Sequence, residues 1–133
     1  MLTIDCLCAG YHKYGIRIEG HDLHFKREPD NPHDANAISV YDEYDSIVGH
    51  VDRETAARLA PLMDEFSYEI ILEGTGEGLF RRWFQEMEIA VWIFRTPTRR
   101  SHEIQREFLR EFGNEDENED EDDNERMDVQ ISL

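Results

Sequence analysis

Three groups of residues in this 133-residue chain have types that could support chemistry. Cys6 and Cys8 could ligate a metal, but they lack the paired spacing of a zinc site, so we favour core cysteines. The glycine-rich segment 74–78 lacks the Lys-Ser/Thr of a phosphate loop, and no serine or cysteine lies in a recognisable nucleophile motif. Trp83 and Trp92 are favoured as core or rim residues over stacking platforms. We therefore predict no enzyme, no catalytic residue, no metal and no cofactor.

The net charge of −17 reflects 31 acidic residues against 14 Lys and Arg. Taken alone, it disfavours a nucleic-acid binder, because such proteins are normally basic. The charge is unevenly spread: residues 113–133 hold ten acids and one arginine, a charge of −9, and residues 1–112 carry the other −8. Residues 114–124 have no apolar side chain, so they cannot bury enough surface to fold. We predict a disordered acidic tail, which ends in a frayed terminus or a docking peptide at residues 127–133.

The chain shows no address signal of the common kinds. It has no run of about 18 apolar residues, and its N-terminus lacks a basic region followed by an apolar one. Two cysteines two positions apart do not form a disulfide framework, which favours a reducing compartment. We therefore expect a soluble intracellular protein without a membrane partner, nuclear in a eukaryote and cytoplasmic otherwise.

Alternation of apolar and polar residues is the main structural signal of the body. It predicts short strands at residues 3–9, 22–28, 37–41, 47–51, 68–72 and 87–94. Loops are expected at residues 11–20 and at the glycine-rich segment 74–78, and the Pro-, Asn- and Asp-rich residues 28–36 predict a structured turn.

Two helices are predicted besides the strands. The first follows Asp52, which is placed to cap it, and should break near residues 59–62 because Pro61 has no backbone donor. The second covers residues 101–112, with Ser101 as its N-cap and Gly113 as its terminator.

Six strands with a helix between the fourth and fifth do not fit alternating βαβ winding. They fit a closed or nearly closed OB-like barrel. We therefore predict a mainly β fold: an OB-like barrel of about six strands with an inserted helix over residues 1–98, a C-terminal helix over 99–113 and the acidic disordered tail over 114–133.

Residues 23–60, LHFKREPDNPHDANAISVYDEYDSIVGHVDRETAARLA, carry a more specific pattern. They resemble the HIRAN domain, which has an alternating strand, then R-[ED]-P-x-N-P-x-D-x-N-A-I-x-V, then a V-G-[HY]-[IVL] strand leading into a helix. The matching residues are Arg27, Pro29, Asn31, Pro32, Asp34, Asn36, Ala37, Ile38, Val40, Val48, Gly49 and His50. Upstream, AGYHKY at residues 9–14 looks like the family's G-x-x-[YH]-Y opening. The resemblance spans roughly residues 1–94 and implies an OB-like barrel with inserted helices.

The resemblance also implies a function. In a family member joined to a helicase motor, the domain holds the free 3′ end of single-stranded DNA and takes part in replication-fork reversal; here we expect it to stand alone. We predict a nucleic-acid-binding module for single-stranded DNA or a DNA 3′ end, in DNA repair or replication. The alternative is an acidic interaction protein or DNA mimic that uses the HIRAN body as a scaffold, with a basic protein partner for the tail.

Carried over by position, the family's pocket residues fall on Lys13, Tyr14, Asn31, His33, Asp34, His50 and Arg53, with His12 close by. In these roles, Asp34 would accept a hydrogen bond from a 3′-hydroxyl, and Tyr14 or His33 would stack on the terminal base. Lys13, His50 and Arg53 would donate to phosphates. The family has Tyr at the positions of Lys13 and His33 and Lys at that of Arg53, so two stacking surfaces are replaced by a cation and an imidazole.

Several of these residues have a structural alternative. Asn31 and Asp34 could instead accept hydrogen bonds from backbone amides of their turn, which we favour for Asn31 and leave open for Asp34. Arg27 is favoured as a structural strand arginine paired with Glu28 or Asp34. His50 could equally be a packed, hydrogen-bonded histidine or a ligand contact.

Overall fold

The computed structural model describes residues 1–94 and 100–113. Within them the strands are β1 (Leu2–Ala9), β2 (Asp22–Arg27), β3 (Ile38–Tyr41), β4 (Ile47–Val51), β5 (Ile70–Arg81) and β6 (Phe84–Ile93). The helices are α1 (Tyr11–Tyr14), α2 (Arg53–Glu65) and α3 (Arg100–Phe112). All six predicted strands are present, and α1 occupies part of the segment predicted as a loop. The predicted tail, residues 114–133, lies outside the described residues.

The strands close into a barrel in the order β1-β4-β3-β2-β5-β6, with antiparallel neighbours throughout. β1 is paired on both sides: Leu2 lies opposite Val91 of β6, and Cys8 lies opposite Val51 of β4. The hairpin of β5 and β6 is paired from Ile70 and Ile93 to Arg81 and Phe84, with a register shift between Gly76 and Phe80. The predicted mainly β barrel with an inserted helix and a C-terminal helix is confirmed.

Every second residue of β1 and β6 fills the barrel interior. The buried side chains are Leu2, Ile4, Cys6 and Cys8 of β1, and Met87, Ile89, Val91 and Ile93 of β6. Both thiols are free, and burial raises the pKa of each, that of Cys8 to about 12. Their predicted place in the core is confirmed.

The glycine-rich segment is not a loop, because Gly74 to Gly78 lie within β5. The reason is close packing: a Cβ on Gly76 would lie 1.7 Å from the Ile18 carbonyl oxygen, and one on Gly74 would lie 2.5 Å from the Phe25 ring. These glycines let the barrel wall close against its neighbours. The strand also begins later than predicted, since Tyr68 lies in the preceding turn with its side chain exposed.

Helix α2 begins where predicted but does not break. The Asp52 side chain caps it by accepting a hydrogen bond from the Thr55 amide. The predicted break near Pro61 is wrong. Pro61 has no N–H to donate to the Ala57 carbonyl, but both residues are exposed, so water can solvate that carbonyl and the helix continues. The opposite face is held in the core by Leu59, Ala60 and Leu62.

Helix α3 packs on the barrel and on α2 through Ile104 and Phe108, which are fully buried. Arg58 of α2 lies 3.6 Å from Glu111 and stacks over the Phe112 ring at 4.6 Å. Ser101 is not the N-cap, because the helix already includes Arg100 and Ser101 is buried in its first turn. Among the described residues, no helix has the length and apolar character needed to cross a bilayer.

Candidate nucleic-acid interface

Helix α1 is held against β4 by two glycines. Gly10 has a φ of 126°, and a Cβ there would lie 3.1 Å from the Gly49 Cα and 3.2 Å from Tyr14 Cδ2. Tyr14 therefore folds back over the junction with β4. Lys13 is exposed beside it, with its ammonium 5.2 Å from the centre of the Tyr14 ring.

The end of β4 presents the next two predicted site residues. His50 is flanked by Ala9 of β1 and Ser39 of β3, and a Cβ on Gly49 would lie 2.2 Å from the Ala9 carbonyl oxygen. Because Gly49 packs tightly against β1, the backbone position of the next residue, His50, is fixed. Arg53, three residues on, is the exposed first residue of α2.

Residues 28–36 form the structured turn predicted from their composition. The Asn31 side-chain oxygen accepts from the amides of His33 at 2.8 Å and Asp34 at 3.2 Å. Asp34 accepts from the Asn36 amide at 2.9 Å. Both side chains therefore serve the turn, as the alternative reading expected, whereas the His33 side chain is exposed.

Arg27 fastens this turn to the barrel. Its guanidinium donates to the carbonyls of Ala35 at 3.0 Å and Ala37 at 2.8 Å, and to both carboxylate oxygens of Asp64 on α2. The structural role favoured for Arg27 is confirmed. Its predicted ion-pair partners, Glu28 and Asp34, are wrong: the side chain reaches across to α2, which lies far away in sequence.

Glu28 contacts two of the predicted site residues, although the sequence pointed to it only as a candidate partner of Arg27. One of its carboxylate oxygens accepts a hydrogen bond from the side-chain NH₂ group of Asn31 at 2.9 Å and lies 3.1 Å from His50 Nε2. The hydrogen bond from Asn31, followed by the contact with His50, holds the pKa of Glu28 below its ordinary value. Glu28 thus connects the turn to the end of β4.

The seven predicted residues form two groups that meet at β4. Tyr14 lies beside the Gly10–Gly49 contact between α1 and β4, with Lys13 exposed next to it, and the Asn31–Asp34 turn is joined to His50 through Glu28. Arg53 follows at the start of α2. Within the described structure, no hydrogen bond or ring contact joins the α1 group directly to the turn.

An aromatic residue at the tip of the β5–β6 hairpin lies beside α1. The rings of His12 and Trp83 are 6.0 Å apart, and those of Tyr11 and Phe80 are 5.1 Å apart in an edge-to-face arrangement. Trp83 is 62 % exposed, so of the two predicted locations it takes the rim and not the core. Its neighbour Arg82 forms the turn with a φ of 61°.

Three exposed cations lie on these elements. Lys13, Arg53 and Arg82 have no carboxylate partner among the described residues, in contrast to Arg81, which is paired with Glu86 at 2.7 Å. In the same part of the chain, no cluster of three His, Cys, Asp or Glu side chains could hold a metal ion. The chemistry available here is hydrogen bonding, stacking and charge attraction.

Comparison with known proteins identifies the family of this part of the chain. Residues 10–83 match the family model of the HIRAN domain, and this range contains every residue of the candidate interface. The chain belongs to the HIRAN domain family. The match covers both the α1 segment and the β5–β6 hairpin tip.

Two curated relatives are similar to part of this chain. An Arabidopsis thaliana protein, SWI/SNF-related matrix-associated actin-dependent regulator of chromatin subfamily A member 3-like 1, is 42 % identical over 67 residues, which are 50 % of this chain and 7 % of that protein. The helicase-like transcription factor of Mus musculus is 51 % identical over 39 residues, which are 29 % of this chain and 4 % of that protein. The HIRAN chain thus spans less than a tenth of either relative.

Solved structures share the fold. The crystal structure of the HIRAN domain of human HLTF matches with a TM-score of 0.65 and 21 % identity, covering 82 % of this chain and 88 % of that one. The NMR structure of the HLTF HIRAN domain in its DNA-bound conformation matches with a TM-score of 0.63 and 23 % identity, covering 85 % and 89 %. At this identity, the likeness establishes the fold they have in common.

Proposed function

We propose that this HIRAN chain is a nucleic-acid-binding module that takes single-stranded DNA, preferentially at a free 3′ end, in DNA repair or replication. The observation that carries the proposal is the convergence of α1, the Asn31–Asp34 turn and His50 at the end of β4, within the region that matches the family. The HLTF HIRAN domain, which has the same fold, has been solved in a DNA-bound conformation.

The interface offers the three kinds of contact that a strand end requires. Lys13 and Arg53 are exposed cations for phosphates. Tyr14, and His33 at the edge of the turn, present rings on which a terminal base can stack, worth about 1–3 kcal/mol per base. Asp34 keeps acceptor capacity beyond its bond to the Asn36 amide, so it can receive a terminal 3′-hydroxyl.

The test compares three oligonucleotides that share one single-stranded sequence, by fluorescence anisotropy at moderate salt. One ends in a 3′-hydroxyl, one ends in a 3′-phosphate, and one continues at its 3′ side into a hairpin that base-pairs the end. We expect the 3′-hydroxyl strand to bind about tenfold more tightly than the others, because a phosphate repels Asp34 and a hairpin withholds the end. Equal affinity for all three would contradict end recognition, and no binding to any would contradict the function.

A matched pair of variants locates the end contact. Asp34→Asn keeps an oxygen for the Asn36 amide but removes the charge, so it should bind the 3′-phosphate and 3′-hydroxyl strands with similar affinity. Asp45→Asn is the control, because Asp45 lies in the β3–β4 turn at a φ of 67° that asparagine tolerates. The control should keep the preference of the wild type.

The acidity of the chain favours a second function, binding of a basic protein. The net charge is −17, and the body contributes −8 of it without the tail residues. A titration with a Lys/Arg-rich peptide against the full chain and a variant lacking residues 114–133 separates the two functions. Tight peptide binding that is lost with the tail, together with no binding of the oligonucleotides, would favour this alternative.

A further inference from the structure

The contact between Glu28 and His50 determines which ring nitrogen of the histidine carries hydrogen. His50 Nε2 lies 3.1 Å from the Glu28 carboxylate, which also accepts from Asn31. The Asn31 orientation is set independently, because its oxygen accepts from two backbone amides and its NH₂ group must therefore face Glu28. An ionised carboxylate can only accept, so the His50 nitrogen that faces it must donate.

The other ring nitrogen is available. The His50 side chain is 31 % exposed, and Nδ1 makes no hydrogen bond to any described residue. In a neutral ring that donates from Nε2, Nδ1 is an acceptor and cannot donate to an anionic oxygen.

We propose that Glu28 is a positioning residue that fixes His50 as the Nε2–H tautomer, so that a DNA phosphate is bound at Nδ1 only when the ring takes up a proton from solvent. The inference rests on the proposed function. In the complex, the imidazolium donates from Nε2 to Glu28 and from Nδ1 to a phosphate oxygen, and one proton is bound for each strand bound. Both hydrogen bonds are then charge-assisted.

The other charged and titratable groups around His50 do not replace Glu28. From β1, the Cys8 thiol bonds to the His50 backbone, and its raised pKa keeps it neutral. At the start of α2, the Asp52 carboxylate accepts from the Leu7 amide and from the amide and hydroxyl of Thr55, while Arg53 is a cation. From α1, Lys13 is a second cation and Tyr14 is a neutral phenol. Glu28 is the carboxylate in contact with the ring among the described residues.

The first arm of the test needs no DNA. Long-range ¹H–¹⁵N spectra of the histidine rings at about pH 7.5, above the range where histidines usually titrate, distinguish a protonated ring nitrogen from an unprotonated one. We expect His50 to show a protonated Nε2 and an unprotonated Nδ1, and Glu28→Ala to give a mixture of tautomers. A wild-type ring protonated at Nδ1 would overturn the assignment.

The second arm measures proton uptake. The affinity for a 3′-hydroxyl single strand is followed from about pH 5.5 to 8 at constant salt. Because the complex holds one more proton than its free components, affinity is full at low pH and should fall by up to about tenfold per pH unit as pH rises past the histidine range. His50→Gln should lose this dependence, and a pH-independent wild type would overturn the proton uptake.

Glu28→Gln separates positioning from a purely structural role. Glutamine can still accept from Nε2 but does not stabilise the imidazolium, so proton uptake is less favourable in the variant. We expect equal binding at the low-pH end of the range, where the ring is already protonated, and about fivefold weaker binding near pH 8, where the proton must be taken up with the strand. Glu43→Gln is the matched control, since it alters the same kind of contact, 3.0 Å long, to His21, the residue before β2. Its profile should follow the wild type. An equal loss of affinity at every pH in Glu28→Gln would overturn the proposal. If neither the wild type nor any variant binds DNA, the proposed function is overturned, and the spectra alone then test the tautomer of His50.

Discussion

Arg27 shows how one side chain gives the candidate interface its shape. The turn it supports carries Asn31, His33 and Asp34, and the guanidinium donates to the carbonyls of Ala35 in the turn and of Ala37 directly after it. The Arg27 side chain is 14 % exposed, so water cannot fully replace these bonds. The position of the turn therefore depends on a strand residue that makes no contact with ligand in the proposed function.

Arg27→Met removes the donors and keeps the apolar stem. We expect the free energy of unfolding to fall by about 1–3 kcal/mol, because the Ala35 and Ala37 carbonyls both lose a hydrogen bond from a charged donor, although the Ala37 carbonyl keeps the Glu28 amide. Urea denaturation with the midpoint and slope fitted separately measures the change. Asp64→Asn is the matched control: Asp64 is 55 % exposed, so its charge should be worth less than about 1 kcal/mol. Equal losses in the two variants would contradict the assigned role of the carbonyl bonds.

Residue roles that depend on near neighbours in sequence were predictable, and those that depend on distant ones were not. Asn31 caps amides two and three residues ahead, and Asp34 caps one two residues ahead, as Asx turns do. The contact of Glu28 with His50 spans 22 positions and that of Arg27 with Asp64 spans 37. Composition and spacing contain no information on which distant side chain the barrel brings alongside.

At the scale of elements, β5 depends on the absence of side chains at its glycines. It lies across the chain segment that precedes β2, where the Ile18 carbonyl occupies the place of a Gly76 Cβ. Ile18 is itself fully buried and its amide donates to Gln85 of β6 at 2.9 Å. The strand and this segment are therefore locked against each other and neither can move to make room.

Gly76→Ala should destabilise the barrel strongly. We expect a loss of about 3 kcal/mol, at the upper end for overpacking, because the new Cβ meets backbone at 1.7 Å. Gly78→Ala is the control in the same strand: its Cβ meets the end of the Glu19 side chain at 3.2 Å, which can move, so the change should stay within about 0.5 kcal/mol. Thermal unfolding of both variants checks the contrast, and similar melting temperatures would contradict the packing argument.

The same segment shows where element prediction from sequence ends. Strand alternation located the interior of the barrel because β1 and β6 each have one buried and one wetter face. Local propensity gives the wrong prediction at two places: it favours a loop at Gly74–Gly78 and a helix break at Pro61. Tertiary contacts override both: close approach requires the glycines, and burial of Leu59 and Leu62 holds the helix through Pro61.

At the scale of the whole molecule, the positions of the charged side chains matter more for DNA binding than the net charge. Residues 1–112 carry −8, yet Lys13, Arg53 and Arg82 stay exposed without carboxylate partners in the described structure. Affinity for DNA should therefore come from local contacts at one end of the barrel, and the long-range electrostatic interaction with DNA should be weak or repulsive. We expect the acids of residues 115–128 to add to that repulsion and to compete with phosphate for the exposed cations.

Replacing the ten acids of residues 115–128 by their amides tests this competition at unchanged chain length. We expect the affinity for single-stranded DNA to rise about three- to tenfold at 0.02 M salt and by less than twofold at 0.3 M, because salt screens contacts between exposed charges. Anisotropy titrations across salt concentrations measure both ends of the range. A control for acids elsewhere on the surface replaces the exposed Asp22 by asparagine and the exposed Glu65 by glutamine, and should gain less for each charge removed. A neutralised tail that leaves affinity unaltered at every salt concentration would show that the acidic segment does not compete for the interface.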